Sequence, residues 1–252
     1  MRVGIITGAS SGMGKEFVRL AIEGPEKYDE IWVIARREDR LRQWPKRYPD
    51  QAFRILALDL SNKEDVNLLK DELDKTKPEI GLFVHCAGFG IMGRIDEIER
   101  EKQTGMVDIN CKSVADITSL LLPFMGIGSR MIYLASAAAF LPQPEFAVYA
   151  ASKAFVLSYV RALRAEVRKS GITVTAVCPG AVKTEFFDRA EEKKKLPAYK
   201  KLVMADPGKV VKKAWKDSLA GKEVSVYGVP MKLFRIAVKM VPHSLIMRLM
   251  LR

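Results

Sequence analysis

The sequence predicts an α/β fold, a doubly wound parallel sheet flanked by helices and followed by a C-terminal helical extension. Short aliphatic and β-branched runs recur at 3–6, 31–34, 53–58, 80–84, 131–135 and 172–177. They are apolar continuously rather than alternately, as strands buried on both faces are. Between them lie helix-length segments with three-to-four-residue periodicity, such as Phe17, Leu20 and Ala21, or Val66, Leu69, Lys70 and Leu73. Strand and helix patterns alternate through residue 178, which is what a parallel sheet needs, because each parallel connection is a crossover.

A chain of 252 residues is the size of one large domain. Hydrophobic residues make up 48% and charged residues 29%, outside the range of disordered sequences. No repeat, low-complexity run or Gly/Ser linker marks a boundary, so residues 1–228 are expected to form one domain and 229–252 an appended tail. Beyond Pro179-Gly180 the pattern changes to a charged stretch (191–195), a helix over 207–219 and a short strand near 223–227. Three cysteines without a CxxC pair, beside two histidines, exclude a disulfide framework and a zinc cluster, and no metal site is expected. This inventory and an amino terminus without a signal-type apolar region lead to the expectation of a cytoplasmic protein.

The first strand leads directly into Thr7-Gly8-Ala9-Ser10-Ser11-Gly12-Met13-Gly14, where helical periodicity begins at once. Glycines there let the chain turn tightly and bring backbone N–H groups and a helix N-terminus against a pyrophosphate. The second strand ends at Ile34-Ala35-Arg36-Arg37, where a site for NAD would carry an acidic residue on the ribose hydroxyls. No carboxylate stands there. Arg36, with Arg37 as a second donor, suits a 2′-phosphate through charge-assisted hydrogen bonds, so NADP(H) is expected in preference to NAD(H).

Ser136 follows the fifth strand, and Tyr149-Ala150-Ala151-Ser152-Lys153 opens a long helical segment. Tyr149 and Lys153, four residues apart, share a helix face, so the ammonium is expected to lower the phenol's pKa toward acid/base use.

On these residues the chain resembles the short-chain dehydrogenases/reductases over about residues 1–230, which implies a Rossmann-like fold. The family's TGxxxGxG pattern is matched at Thr7, Gly8, Gly12 and Gly14, with Ser10, Ser11 and Met13 inside it. Asp59-Leu60 is similar to the family's adenine-contacting pair, and Ala87-Gly88 to the end of its NNAG motif. Asn110 matches the active-site asparagine, and Ser136, Tyr149 and Lys153 match the catalytic trio. Pro179-Gly180, with Val182 and Thr184, resembles the loop that holds the nicotinamide amide. One departure stands out: His85-Cys86 replace the two usual asparagines, and a thiol cannot reproduce an amide's hydrogen bonds.

The resemblance implies an NADP(H)-dependent oxidoreductase interconverting a carbonyl and an alcohol. Tyr149 would exchange a proton with the carbonyl oxygen and Ser136 would hydrogen-bond that oxygen. Lys153 would tune Tyr149 and hold the nicotinamide ribose, and Asn110 would position a water for proton relay. A homodimer or homotetramer paired through segments 102–125 and 147–170 is implied as well. The alternative from another class is a catalytically silent NADP(H)-binding regulatory protein on the same fold. Phe89, Ile91, Met92, Phe140, Leu141, Pro142, Phe146, Phe186 and Phe187 are the candidate substrate lining, and their apolar character points to a hydrophobic ketone, aldehyde or alcohol.

The net charge of +12 is unevenly placed. Residues 1–185 hold 26 basic and 24 acidic residues, whereas the remaining 67 hold 16 and 6. In the tail, Lys232, Arg235 and Lys239 share one helix face, and Leu233, Ile236, Ala237 and Met240 another; a second apolar stretch at 245–251 contains Arg248 and precedes Arg252. Neither piece reaches the roughly 18 apolar residues of a spanning helix. The apolar face is expected to pack over the cleft or in a homodimer, or to make a peripheral membrane contact. Nucleic acid is not an expected partner, because Phe234 is the tail's one stacking aromatic.

Overall fold

A computed structural model of the chain describes residues 1–191 and 204–250. One sheet of seven parallel strands carries the fold: β1 (Arg2–Thr7), β2 (Glu30–Ala35), β3 (Ala52–Ala57), β4 (Glu79–His85), β5 (Arg130–Leu134), β6 (Thr173–Val177) and β7 (Val224–Ser225). Their order is β3-β2-β1-β4-β5-β6-β7. The chain winds outward from β1 to β3, returns to place β4 beside β1, and winds outward again. This is the Rossmann-like arrangement, and the reversal between β1 and β4 opens a crevice at the strands' carboxyl ends.

Continuous apolar runs serve two cores because successive side chains point to opposite faces. Val3, Ile5, Trp32, Ile34, Phe83, Met131 and Tyr133 meet one helical layer, built from α4 (Lys63–Thr76), α6 (Ser113–Leu121) and α7 (Ala147–Val167). Ile6, Ile31, Val33, Leu82, Val84 and Ile132 meet the other, built from α1 (Gly12–Glu23) and α9 (Pro207–Leu219). The outer strand β3 departs from expectation: its residues are half-buried or exposed, since an edge strand has one neighbour and a thinner cover. Arg54 on β3 uses that exposure to pair with Glu30 at 3.0 Å.

Local signals set the helix starts. Asn62 caps α4 by accepting from the Glu64 and Asp65 N–H groups at 2.8 and 3.2 Å. Asp206 caps α9 by accepting from the Lys209 N–H at 2.9 Å, with Pro207 in the first turn. Short helices α2 (Glu38–Leu41) and α3 (Gln43–Arg47) follow β2. The long segment before β5 is α5 (Arg100–Val107) running through a π-helical turn (Asp108–Lys112) into α6. After β6 come α8 (Phe186–Ala190) and, past β7, α10 (Val229–Met240) and α11 (His243–Met250). The charged stretch at 191–195 lies outside the described residues except for Glu191.

The tail corrects one expectation. Leu233, Ile236, Ala237 and Met240 are exposed, whereas Met231, Phe234 and Val238 face the body. Arg235, expected among solvated charges, is half-buried with its guanidinium 5.8 Å from the Phe140 ring centroid.

Candidate active site

The loops that follow β1 to β6 surround one cleft of about 1470 Å³. At its base lies the glycine loop. Gly8 and Gly12 take positive φ, 65° and 53°, which glycine adopts without strain. A Cβ on Gly8 would sit 2.9 Å from the Cys86 carbonyl oxygen, and one on Gly14 would sit 2.2 Å from that of Gly8. Ser11 precedes α1 without capping it, and no acidic side chain stands in the first turn. The N–H groups of that turn therefore keep their donor capacity and partial positive charge for an anion. A cradle open to backbone approach, at an uncapped helix N-terminus, fits a pyrophosphate.

Sequence reasoning missed the role of Thr7. Its Oγ1 accepts from the Cys86 and Ala87 N–H groups, both at 3.1 Å, and ties β1 to β4 at the crevice. His85 itself is buried, stacked on Tyr133, with Nε2 3.2 Å from the Ser113 hydroxyl. Desolvation pushes its pKa down to about 3, so the imidazole is neutral. Cys86 lines the cleft, but burial raises its thiol pKa and keeps it from acting as a thiolate.

Arg36 and Arg37 take different positions. Arg37 donates to the Ser10 hydroxyl and pairs with Glu185 at 3.0 Å; Arg36 is more exposed and stands 3.6 Å from Asp59. Partial burial works to raise the Asp59 carboxyl, but hydrogen bonds from the Ser61 hydroxyl and N–H, with the Arg36 charge, hold it below the ordinary range. Asp59 and Leu60 both line the cleft, as do Ala87, Gly88, Pro179, Gly180, Val182 and Thr184.

Ser136, Tyr149 and Lys153 meet deeper in the same cleft. Ser136 Oγ accepts from the Ala138 N–H at 3.1 Å, and the Ser136 hydroxyl lies near enough to the Tyr149 phenol to favour its ionised form. Phe146 stacks on the Tyr149 ring with centroids 4.3 Å apart. Desolvation pushes the phenol up to about 12 and outweighs the lowering by Ser136. The expected lowering by Lys153 is not realised: its Nζ donates to the Leu134 carbonyl at 2.7 Å and lies 5.7 Å from the Tyr149 ring centroid. Burial moves the Lys153 pKa itself down to about 8.

Asn110 sits behind this set, in the π-helical turn, and does not line the cleft. Its Oδ1 accepts from the Phe89 N–H at 3.1 Å, and its Nδ2 donates to the Phe89 carbonyl and the Ser152 hydroxyl, both at 2.9 Å. The side-chain amide is therefore spent on holding the Phe89 backbone and α7. Among the described residues no group of side chains could hold a metal ion.

The short chain dehydrogenase family model matches residues 2–195. This protein belongs to that family. An uncharacterized oxidoreductase of Staphylococcus haemolyticus is 32% identical over 192 residues, 75% of this chain and 82% of the relative. Sulfoacetaldehyde reductase 2 of Chromohalobacter salexigens is 30% identical over 188 residues, covering 72% and 73% of the two chains. In fold, the chain is similar to a short-chain dehydrogenase from Sphingobium yanoikuyae solved in complex with NADPH, with a TM-score of 0.79, 24% identity and coverage of 95% and 94%.

The outer half of the cleft is mostly apolar. Phe89, Met92, Leu141, Phe146, Phe186 and Phe187 line it as expected, whereas Ile91, Phe140 and Pro142 do not. Ile91 is buried in the small cluster beneath Tyr149, and Phe140 packs against the main core. Tyr227, Pro230, Met231, Phe234 and Ile246 complete the wall. Their signal in the sequence was weak, because only tertiary packing shows which face of α10 turns inward.

Proposed function

We propose that this oxidoreductase interconverts a hydrophobic ketone or aldehyde and the corresponding alcohol with NADP(H), and that Tyr149 is its acid/base. The observation that carries the reading is the meeting of Ser136, Tyr149 and Lys153 in a cleft that runs from the glycine loop to an apolar, aromatic wall. When bound, the nicotinamide supplies or accepts the hydride. The residues of the chain orient, exclude water and move the proton.

A carbonyl oxygen placed at the Ser136–Tyr149 pair receives two O–H donors in a desolvated pocket, where such donors stabilise growing negative charge most. Tyr149, with its pKa raised to about 12, is protonated at neutral pH and so starts as the acid that reduction requires. Lys153, on the next turn of α7 with a pKa near 8, holds a proton close to the phenol and can restore it. Gly8, Ser10, Ser11, Gly12, Met13 and Gly14 would hold the pyrophosphate. Arg37, Arg36 and Ser10 would hold the 2′-phosphate, and Asp59 and Leu60 the adenine. Ala87, Gly88, Pro179, Gly180, Val182 and Thr184 would flank the nicotinamide half, and Asn110 would position Phe89 and α7. Assembly into a homodimer or homotetramer through α5–α6 and α7 belongs to the same reading.

The test is NADPH oxidation against a carbonyl panel graded from small and polar to large and apolar. Turnover should rise with apolar size. Reduction confined to small polar carbonyls would reject the substrate class, and silence across the panel would favour the regulatory alternative.

A further inference from the structure

Helix α10 is apolar on two opposite faces. With about 100° between successive residues, Met231, Phe234 and Val238 fall in one stripe, and Val229, Leu233, Ile236 and Met240 fall opposite. The first stripe packs inward, with Met231 and Phe234 in the cleft wall and Val238 buried. The second is bare: Val229, Leu233, Ile236 and Met240 are 66%, 60%, 56% and 78% exposed, and Leu245 of α11 adds another side chain at 50%.

Charge says what would cover that face. Lys232 and Lys239 are exposed along one flank of the bare stripe, Arg248 is exposed on α11, and no acidic residue follows Glu223 in the chain. We propose that the outer face of α10 and α11 docks on an anionic lipid surface, with the helices lying in the plane of the interface. An apolar stripe bordered by lysines gains both from burial among acyl chains and from attraction to acidic headgroups. Pairing the same face with a second copy of itself would bring lysines toward lysines with no carboxylate on either tail to offset them. Among the described residues no helix is long and apolar enough to cross a membrane, so the contact is peripheral. Docking makes no demand on the chemistry inside the cleft. It does place the bilayer one helix diameter from the apolar wall formed by Met231 and Phe234.

The test is co-sedimentation of the full chain with phosphatidylcholine vesicles, with and without phosphatidylglycerol. Binding is expected to the anionic vesicles and to fall as salt rises. Leu233→Ser/Ile236→Ser/Met240→Ser should weaken it by at least about tenfold. Lys232→Gln/Lys239→Gln should weaken it by roughly tenfold or more. Both variants change side chains that face solvent, so each should keep the wild-type melting temperature, which separates lost docking from lost folding. Absence of binding to anionic vesicles would overturn the proposal, as would binding by both variants as tight as that of the parent. A drop in solution mass on the triple substitution, without vesicle binding by the parent, would give the face to a second copy instead.

Discussion

Arg37 and Ser10 meet across the mouth of the cleft, where Nε and Nη2 of the guanidinium donate to the serine hydroxyl at 3.3 and 3.1 Å. The contact joins the end of β2 to the glycine loop. Glu185 takes the remaining Nη1 at 3.0 Å, and Arg40 shares the same carboxylate at 2.7 Å. Hydrogen bonds from Arg40, then from Arg37, hold that carboxylate below its ordinary pKa, so it stays charged. A ribose 2′-phosphate entering here would therefore find Arg37 already oriented and would share it with Glu185.

Cofactor choice should consequently depend more on Arg37 than on Arg36. Arg37→Ala removes charge-assisted donors held in place, and NADPH binding should weaken by about tenfold to a hundredfold. NADH, which lacks the phosphate, should change by no more than about threefold. Arg36→Ala should cause a smaller loss of the same sign. Titrating each variant with both nucleotides checks this, and equal weakening of NADPH and NADH would remove the phosphate contact from consideration.

Tyr149→Phe isolates the proton. The ring keeps its stacking on Phe146, and only the hydroxyl is lost. Turnover should fall by about 10²- to 10⁴-fold, the usual scale of a lost general acid, while the NADPH dissociation constant stays close to that of the parent. Steady-state kinetics paired with nucleotide titration separates the two quantities. A variant that kept its turnover would transfer the acid role to another group.

The parts of the fold that could be read from the sequence were those set by local pattern. Buried strands appear as unbroken apolar runs, so β1, β2, β4, β5 and β6 were legible within a residue or two. The glycine loop was legible because it lies between a strand and a helix. Three features were not legible, each because it depends on residues far apart or on which of two equivalent faces is used. Thr7 meets Cys86 across 79 positions, and Arg37 meets Glu185 across 148. Helix α10 carries apolar stripes on both sides, so hydrophobic periodicity cannot decide which one packs. The Tyr149–Lys153 spacing placed both groups correctly on α7. It could not show that Lys153 would turn to the Leu134 carbonyl, leaving burial to dominate both pKa values.

His85 should make the fold acid-sensitive. In the unfolded chain an imidazole takes up its proton near pH 6.5, whereas in the fold desolvation lowers that value to about 3. Between those limits the unfolded state binds more protons, so stability rises with pH across the window and is lost as pH falls through it. The loss is at most about 1.4 kcal/mol per pH unit. His85→Gln keeps a polar partner for the Ser113 hydroxyl but cannot titrate, so the slope of unfolding free energy against pH should be shallower than in the parent. The remaining titratable groups are the same in both proteins, and the difference between the two slopes therefore reports His85 alone. Urea unfolding from about pH 4 to pH 7 measures it, and coincident slopes would mean that the imidazole is not held neutral in the core.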